Sequence, residues 1–204
     1  MLFEDAYKTI AAVSEGIYRD KGSKFIAYAF PLKSEEAVKE ILNQVKAEHP
    51  KARHHCWAWR LSTDKTVFRL NNDGEPSGSA GRPILNTLLS FEVTNVIVVV
   101  VRYFGGTLLG IQGLINAYKT ATMECLKATQ IIEQTIKDYY EISFDYSVMN
   151  DAMKIVKDED LEVLKQEFDN TCMMEISIRQ MLVNRVISKL EKVAGLQVKF
   201  KGSL

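Results

Sequence analysis

Apolar and polar positions follow two rhythms along the 204-residue chain: short β-like runs interleaved with helical spacing as far as residue 130, then a tighter series from Asp138. The run from Val96 to Val101 holds only valine and isoleucine. Such a run suits a strand buried on both faces, because a half-exposed strand would alternate. Turn-rich stretches flank it, Asp73-Gly74-Glu75-Pro76 through Gly81 before it and Phe104-Gly105-Gly106 after it. The remaining elements are read around that strand.

Residues 1–23 read as an edge hairpin broken at Gly16 and Gly22, and KFIAYAFPL as a strand ended by Pro31. Ser34 has the character of an N-cap, Glu35 and Glu36 favour a first helical turn, and Val38, Ile41, Leu42 and Val45 keep helical spacing up to Pro50. A helix over residues 35–48 follows. The segment KARHHCWAWRLS is the next strand, paired in a hairpin with residues 66–70. Alternation places Arg53, His55, Trp57 and Trp59 on one face and His54, Cys56, Ala58 and Arg60 on the other. Pro83 opens a short helix through Leu89, and a longer helix ending near Thr129 should bury Ile111, Leu114, Ile115, Tyr118, Ala121 and Cys125.

From Asp138 the order is strand, helix, hairpin, helix, strand, with Asp169-Asn170 as the hairpin turn and Gly195 as a helix stop. This is the βαββαβ ferredoxin-like arrangement, which a helix through residues 159–168 would break. The fold class is therefore α+β, with domains expected at residues 1–135 and 136–204.

Composition narrows the function. With 26 basic and 26 acidic residues the formal charge is zero, so any nucleic-acid site is a local patch rather than an overall field. Cys56, Cys125 and Cys172 are too few and too widely spaced for a disulfide framework or zinc knuckle. An acidic N-terminus and the lack of an apolar run of about 20 residues point to a cytoplasmic protein with no membrane partner, and a monomer is expected.

Candidate chemistry collects around the two glycine segments. His54, His55 and Cys56 invite a metal, but strand neighbours face opposite ways and no second cluster has ligand spacing. Asp73 and Glu75 could act as acid and base with His54 or His55 in a hydrolase, or Asp73 could serve a solvated turn. Neither glycine segment has the spacing of a phosphate loop or a dinucleotide fingerprint, so no cofactor is expected. Arg53, Arg60, Arg82 and Arg102, with Tyr103 and Phe104, combine guanidinium forks and aromatic faces suited to phosphates and unstacked bases. The candidate binding surface comprises Arg53, His54, His55, Arg60, Asp73, Glu75, Arg82, Arg102, Tyr103, Gly105 and Gly106, with no catalytic or metal residue assigned.

The segments ARHHCWAWR (52–60), DGEPSGSAGRPIL (73–85) and VVVVRYFGGTLLG followed by GL and AY (98–118) resemble the YigZ/IMPACT family. Gln112 and Asn116 stand where that family commonly has glycine and arginine. The resemblance implies a two-layer α/β first domain of the type in a small-subunit ribosomal protein and domain IV of elongation factor G. It implies a second domain like domain V of that factor. It also implies a nonenzymatic regulator of translation, since eukaryotic members modulate activation of a kinase that phosphorylates an initiation factor. Expected partners are RNA, the ribosome or a translation-related protein.

Overall fold

A computed structural model describes residues 5–62, 66–168 and 171–203. The chain divides into two compact units, one of Tyr7–Gln134 and one of residues 5–6 with 135–203. The first contains, in order, β1 (Ala6–Ile10), β2 (Ser14–Asp20), β3 (Ser23–Pro31), α1 (Ala37–Glu48), β4 (His54–Leu61) and β5 (Val67–Asn71). It continues with α2 (Gly81–Ser90), β6 (Val96–Tyr103), α3 (Gly110–Lys127) and β7 (Ile131–Thr135).

Five strands form one sheet in the order β2-β3-β6-β4-β5, with every neighbour antiparallel. β6 is central, and its unbroken apolar content follows from cover on both faces. On one face α2 and α3 bury Phe25, Ala27, Ala29, Cys56, Ala58, Val98 and Val100. To these two expected layers the chain adds α1 on the other face, where Val38 and Val45 pack with Trp59, Ile97, Val99 and Val101. The alternation read for the strand at residues 54–60 is realised, with Cys56 and Ala58 in one cluster and Trp57 and Trp59 in the other.

Three local expectations are corrected. Gly16 does not break a strand but lies inside β2, where a Cβ would come 2.2 Å from the Cys125 nitrogen of α3. Ile111 is 60% exposed, and the buried face of α3 starts at Leu114. Ser34 does not cap α1, whose N-cap is Glu36 without a side-chain hydrogen bond.

The second unit runs β8 (Lys137–Phe144), α4 (Met149–Asp158), β9 (Glu162–Phe168), β10 (Cys172–Arg179), α5 (Val183–Leu190) and β11 (Gln197–Ser203). Its antiparallel sheet has the order β11-β8-β10-β9, the ferredoxin-like arrangement. Residues 162–168 form strand, so the helix alternative falls away. The Asp169-Asn170 turn lies outside the described residues. Ile142, Phe144, Met174, Ile176, Val186 and Leu190 form its core.

Candidate functional site

The register of β4 on β6 sets His54 opposite Arg102, so the loop after β6 and the start of β4 meet at one end of the sheet. The loop from β5 to α2 returns to the same end because asparagine and aspartate direct its turns. Asp73 (φ 41°) and Gly74 (φ 84°) take left-handed conformations, which Asp tolerates and Gly favours. The Asp73 N–H donates to Asn71 Oδ1 at 2.6 Å, and the Gly81 N–H donates to Asn72 Oδ1 at 2.9 Å. Asn72 thereby holds the two ends of the loop together, and Glu75 is turned inward.

Glu75 is the centre of a buried polar network, its side chain only 3% exposed. Arg102 Nη1 donates to Glu75 Oε1 at 2.6 Å, and the Tyr118 hydroxyl donates to the same oxygen at 2.8 Å. The Cys56 thiol lies 3.3 Å from the Tyr118 hydroxyl and 2.9 Å from the Asn72 carbonyl oxygen. The Arg102 guanidinium also sits 5.5 Å from the Phe25 ring and 5.7 Å from the Phe104 ring. Burial pushes the Cys56 thiol up to about 12, so it is protonated at neutral pH. Burial, reinforced by Cys56 and Glu75, drives the Tyr118 hydroxyl far above its ordinary range.

Two histidines border this network from opposite faces of β4. His54 Nδ1 lies 2.8 Å from the Asp73 carbonyl oxygen, which can only accept, so that nitrogen donates. Its Nε2 lies 4.0 Å from Glu75 Oε1. The His55 N–H donates to Asp73 Oδ2 at 2.7 Å, which gives Asp73 a turn-fixing role. The His55 ring is buried, with Nε2 lacking a partner, and desolvation holds its pKa below the ordinary histidine value.

The sequence-derived surface is thus divided. His54, Asp73, Glu75 and Arg102 come together, and Arg53 adjoins them, its N–H donating to the Arg102 carbonyl oxygen at 3.2 Å. Arg53 and Arg82, the latter in the first turn of α2, are exposed. Arg60 is at the opposite end of β4, paired with Val96, and donates to the Val93 carbonyl oxygen at 2.6 Å. Tyr103 points to the α1 face, its hydroxyl 2.9 Å from His49 Nδ1. Gly105 abuts Gly22, where a Cβ would come 1.9 Å from the Gly22 carbonyl carbon, so its role is close packing. Gly106 has φ 86° with open space around it.

Arg102 was expected to offer its fork to phosphate, and the structure gives it a carboxylate instead. Asn72 and the hydroxyl of Tyr118 were missed, although Asn71-Asn72 before Asp-Gly is a turn signal in its own right. Leu108, 82% exposed, was also missed as part of the surface, whereas Phe104, read beside the arginines, is 45% exposed. Among the described residues no three His, Cys, Asp or Glu side chains group as a metal site, and no helix is long and apolar enough to cross a membrane.

A sheet flanked by helices, with DGEPSGSAGRP and RYFGG loops at one end and a ferredoxin-like unit after it, defines a two-domain α+β protein. Residues 21–126 match the family model described as the Impact N-terminal domain. The chain belongs to the IMPACT family. It is 32% identical over 178 residues to an IMPACT family member of Haemophilus influenzae, covering 86% of each chain. It is 31% identical over 172 residues to the Escherichia coli IMPACT family member YigZ, covering 83% of this chain and 84% of that one. A crystal structure of a hypothetical protein superposes with a TM-score of 0.72 and 29% identity, covering 95% of this chain and 96% of the other.

Proposed function

We propose that the protein is a nonenzymatic cytoplasmic regulator of translation that binds RNA, the ribosome or a translation factor through the two glycine loops of its first unit. Membership of the IMPACT family supports the translation-related class that the sequence resemblance implies. The observation that carries the reading is the buried Glu75–Arg102–Tyr118 network. It stiffens the loops from within and leaves Arg53, Arg82, Phe104 and Leu108 outward. Cations and apolar side chains on pre-set loops suit phosphates and unstacked bases.

A hydrolase built on Asp73, Glu75 and His54 or His55 is less well supported. Glu75 Oε1 already accepts from Arg102 and Tyr118, Asp73 is engaged by the His55 N–H, and the Cys56 thiol is protonated. A base must reach the proton it abstracts, and Glu75 Oε1 and Asp73 Oδ2 are each already engaged within the network.

The test is co-sedimentation of the full chain with ribosomes and with RNA over a salt series. Arg53→Ala combined with Arg82→Ala should weaken binding and lower the salt slope by about 1.5, at roughly 0.7–0.9 per lost phosphate contact. An unchanged affinity and slope in the folded double variant would overturn the reading. Turnover of ester, peptide or phosphoester substrates that disappears in His54→Gln would replace it with the hydrolase.

A further inference from the structure

The opposite face of the same sheet carries a second surface that neither glycine loop reaches. β5 is an edge strand, paired only with β4 in the described sheet. Register places Val67, Arg69 and Asn71 on the face of Leu61, Trp59 and Trp57, with Phe68 on the other. Val67 and Phe68 are each 46% exposed. Edge strands are normally blunted by charge, and the other edge, β2, carries Glu15, Arg19 and Asp20 and packs along α3. β5 has one charged residue in five, Arg69.

Beside this edge, between α1 and the β4–β5 pair, runs a groove of about 350 Å³. Trp57, half-buried, contributes its aromatic floor, Trp59 is buried beneath it with the Arg69 guanidinium 5.9 Å from its ring, and Lys39, Lys46 and Arg69 form the rim. Glu35 is the acid of the lining, and it already forms an ion pair with Arg69. That pair is solvent-exposed, and exposed pairs of this kind are weak, so an incoming carboxylate can take the place of Glu35.

We propose that the β5 edge and the adjoining groove bind an extended acidic peptide of a partner protein, added to the sheet as a sixth strand. An added strand satisfies the outer backbone groups of β5, and its alternate side chains fall over the groove. Apolar anchors meet Val67 and Trp57, while flanking carboxylates meet Lys39, Lys46 and Arg69. A single-stranded nucleic acid would use the cations and aromatic rings and leave the strand edge unpaired, which makes it the poorer match. The site lies on the sheet face opposite Glu75 and Arg102, so it operates independently of the loop surface.

The test is titration of the full-length, 15N-labelled protein with an acetylated peptide alternating glutamate and leucine. Parallel titrations use a lysine-for-glutamate version, a version N-methylated at alternate backbone amides, and oligouridine. The acidic peptide should shift the amides of Val67–Asn71 and the indole signals of Trp57 and Trp59. Its affinity should fall about tenfold or more in Lys39→Glu combined with Lys46→Glu, both exposed helix positions, with the amide spectrum of the free variant otherwise keeping its dispersion. The lysine and N-methylated versions should lose binding. The proposal is overturned if the acidic peptide leaves β5 unshifted at about millimolar concentration. Equal binding of the N-methylated peptide, no effect of the charge reversal, or tighter binding of oligouridine in this groove would also overturn it.

Discussion

Glu75 and Arg102 are 27 positions apart, and the fold makes them a buried ion pair at 2.6 Å. Removing one member of such a pair leaves the other charge desolvated, which costs far more than the pair itself contributes. Arg102→Ala should therefore lower unfolding stability by about 3–5 kcal/mol, read from urea melts. Glu75→Leu combined with Arg102→Met should recover most of that loss, since no charge is then left without a partner. A loss below about 1 kcal/mol in Arg102→Ala would show that water reaches the carboxylate. This pairing was not legible in the sequence: arginines at turns are usually solvated, and residue type alone does not reveal which carboxylate will fold inward. Asp73 was more legible, because Asp before Gly has a local reason to fix a turn whatever lies around it.

Among the elements, legibility tracked how local the determining physics is. β6 was readable from composition, since burial on both faces writes itself as an unbroken apolar run. The order of elements in the second unit was readable from periodicity. Gly16 was misread because a glycine in a strand-like run signals a break, whereas here it signals a neighbour. Its missing Cβ admits the backbone of Glu124 and Cys125 to within 2.2–2.7 Å of where that atom would stand. The Ser14 hydroxyl, two residues earlier, donates to the Cys125 carbonyl oxygen at 2.9 Å, so β2 and α3 are fastened at that level. Gly16→Ala should force the two elements apart and lower stability by roughly 1–3 kcal/mol, the usual cost of overpacking. Exposed Gly106→Ala would carry backbone strain alone, because φ is 86° and nothing lies within 4 Å. If thermal melts rank Gly106→Ala as the more damaging change, close packing is not why Gly16 is glycine.

At the scale of the whole molecule, each hydrophobic core lies within one of the two units. The core around Val98, Val100 and Tyr118, with the one around Trp59 and Val99, lies within Tyr7–Gln134. The core around Ile142, Phe144 and Ile176 belongs to the second unit. Sequence periodicity places a boundary near residues 133–137, but it gives no hint that residues 5–6 group with the second unit. Asp5 accepts from Arg179 Nε at 2.6 Å and Nη2 at 3.0 Å, and the Ile136 N–H donates to its carbonyl oxygen at 2.7 Å. The Arg179 hydrogen bonds hold the Asp5 carboxyl below the usual aspartate range. A pKa depressed by folding stabilises the protein above the unfolded value and loses that contribution as pH falls through the folded one. Two fragments test the division. Residues 7–134 keep four of the five residues of each of β1 and β7, which pair with one another, and should give a cooperative melt with dispersed amide signals. Residues 135–204 lack Asp5 and should melt lower than residues 5–6 joined to them by a short linker. That gap should begin to narrow as pH falls below about 4, where aspartate is protonated in the unfolded chain, and lose its titrating part as pH passes the lower folded value, leaving the contribution of the Ile136–Asp5 backbone bond. A fragment of residues 7–134 that binds hydrophobic dye and melts without cooperativity would instead make the chain a single folding unit.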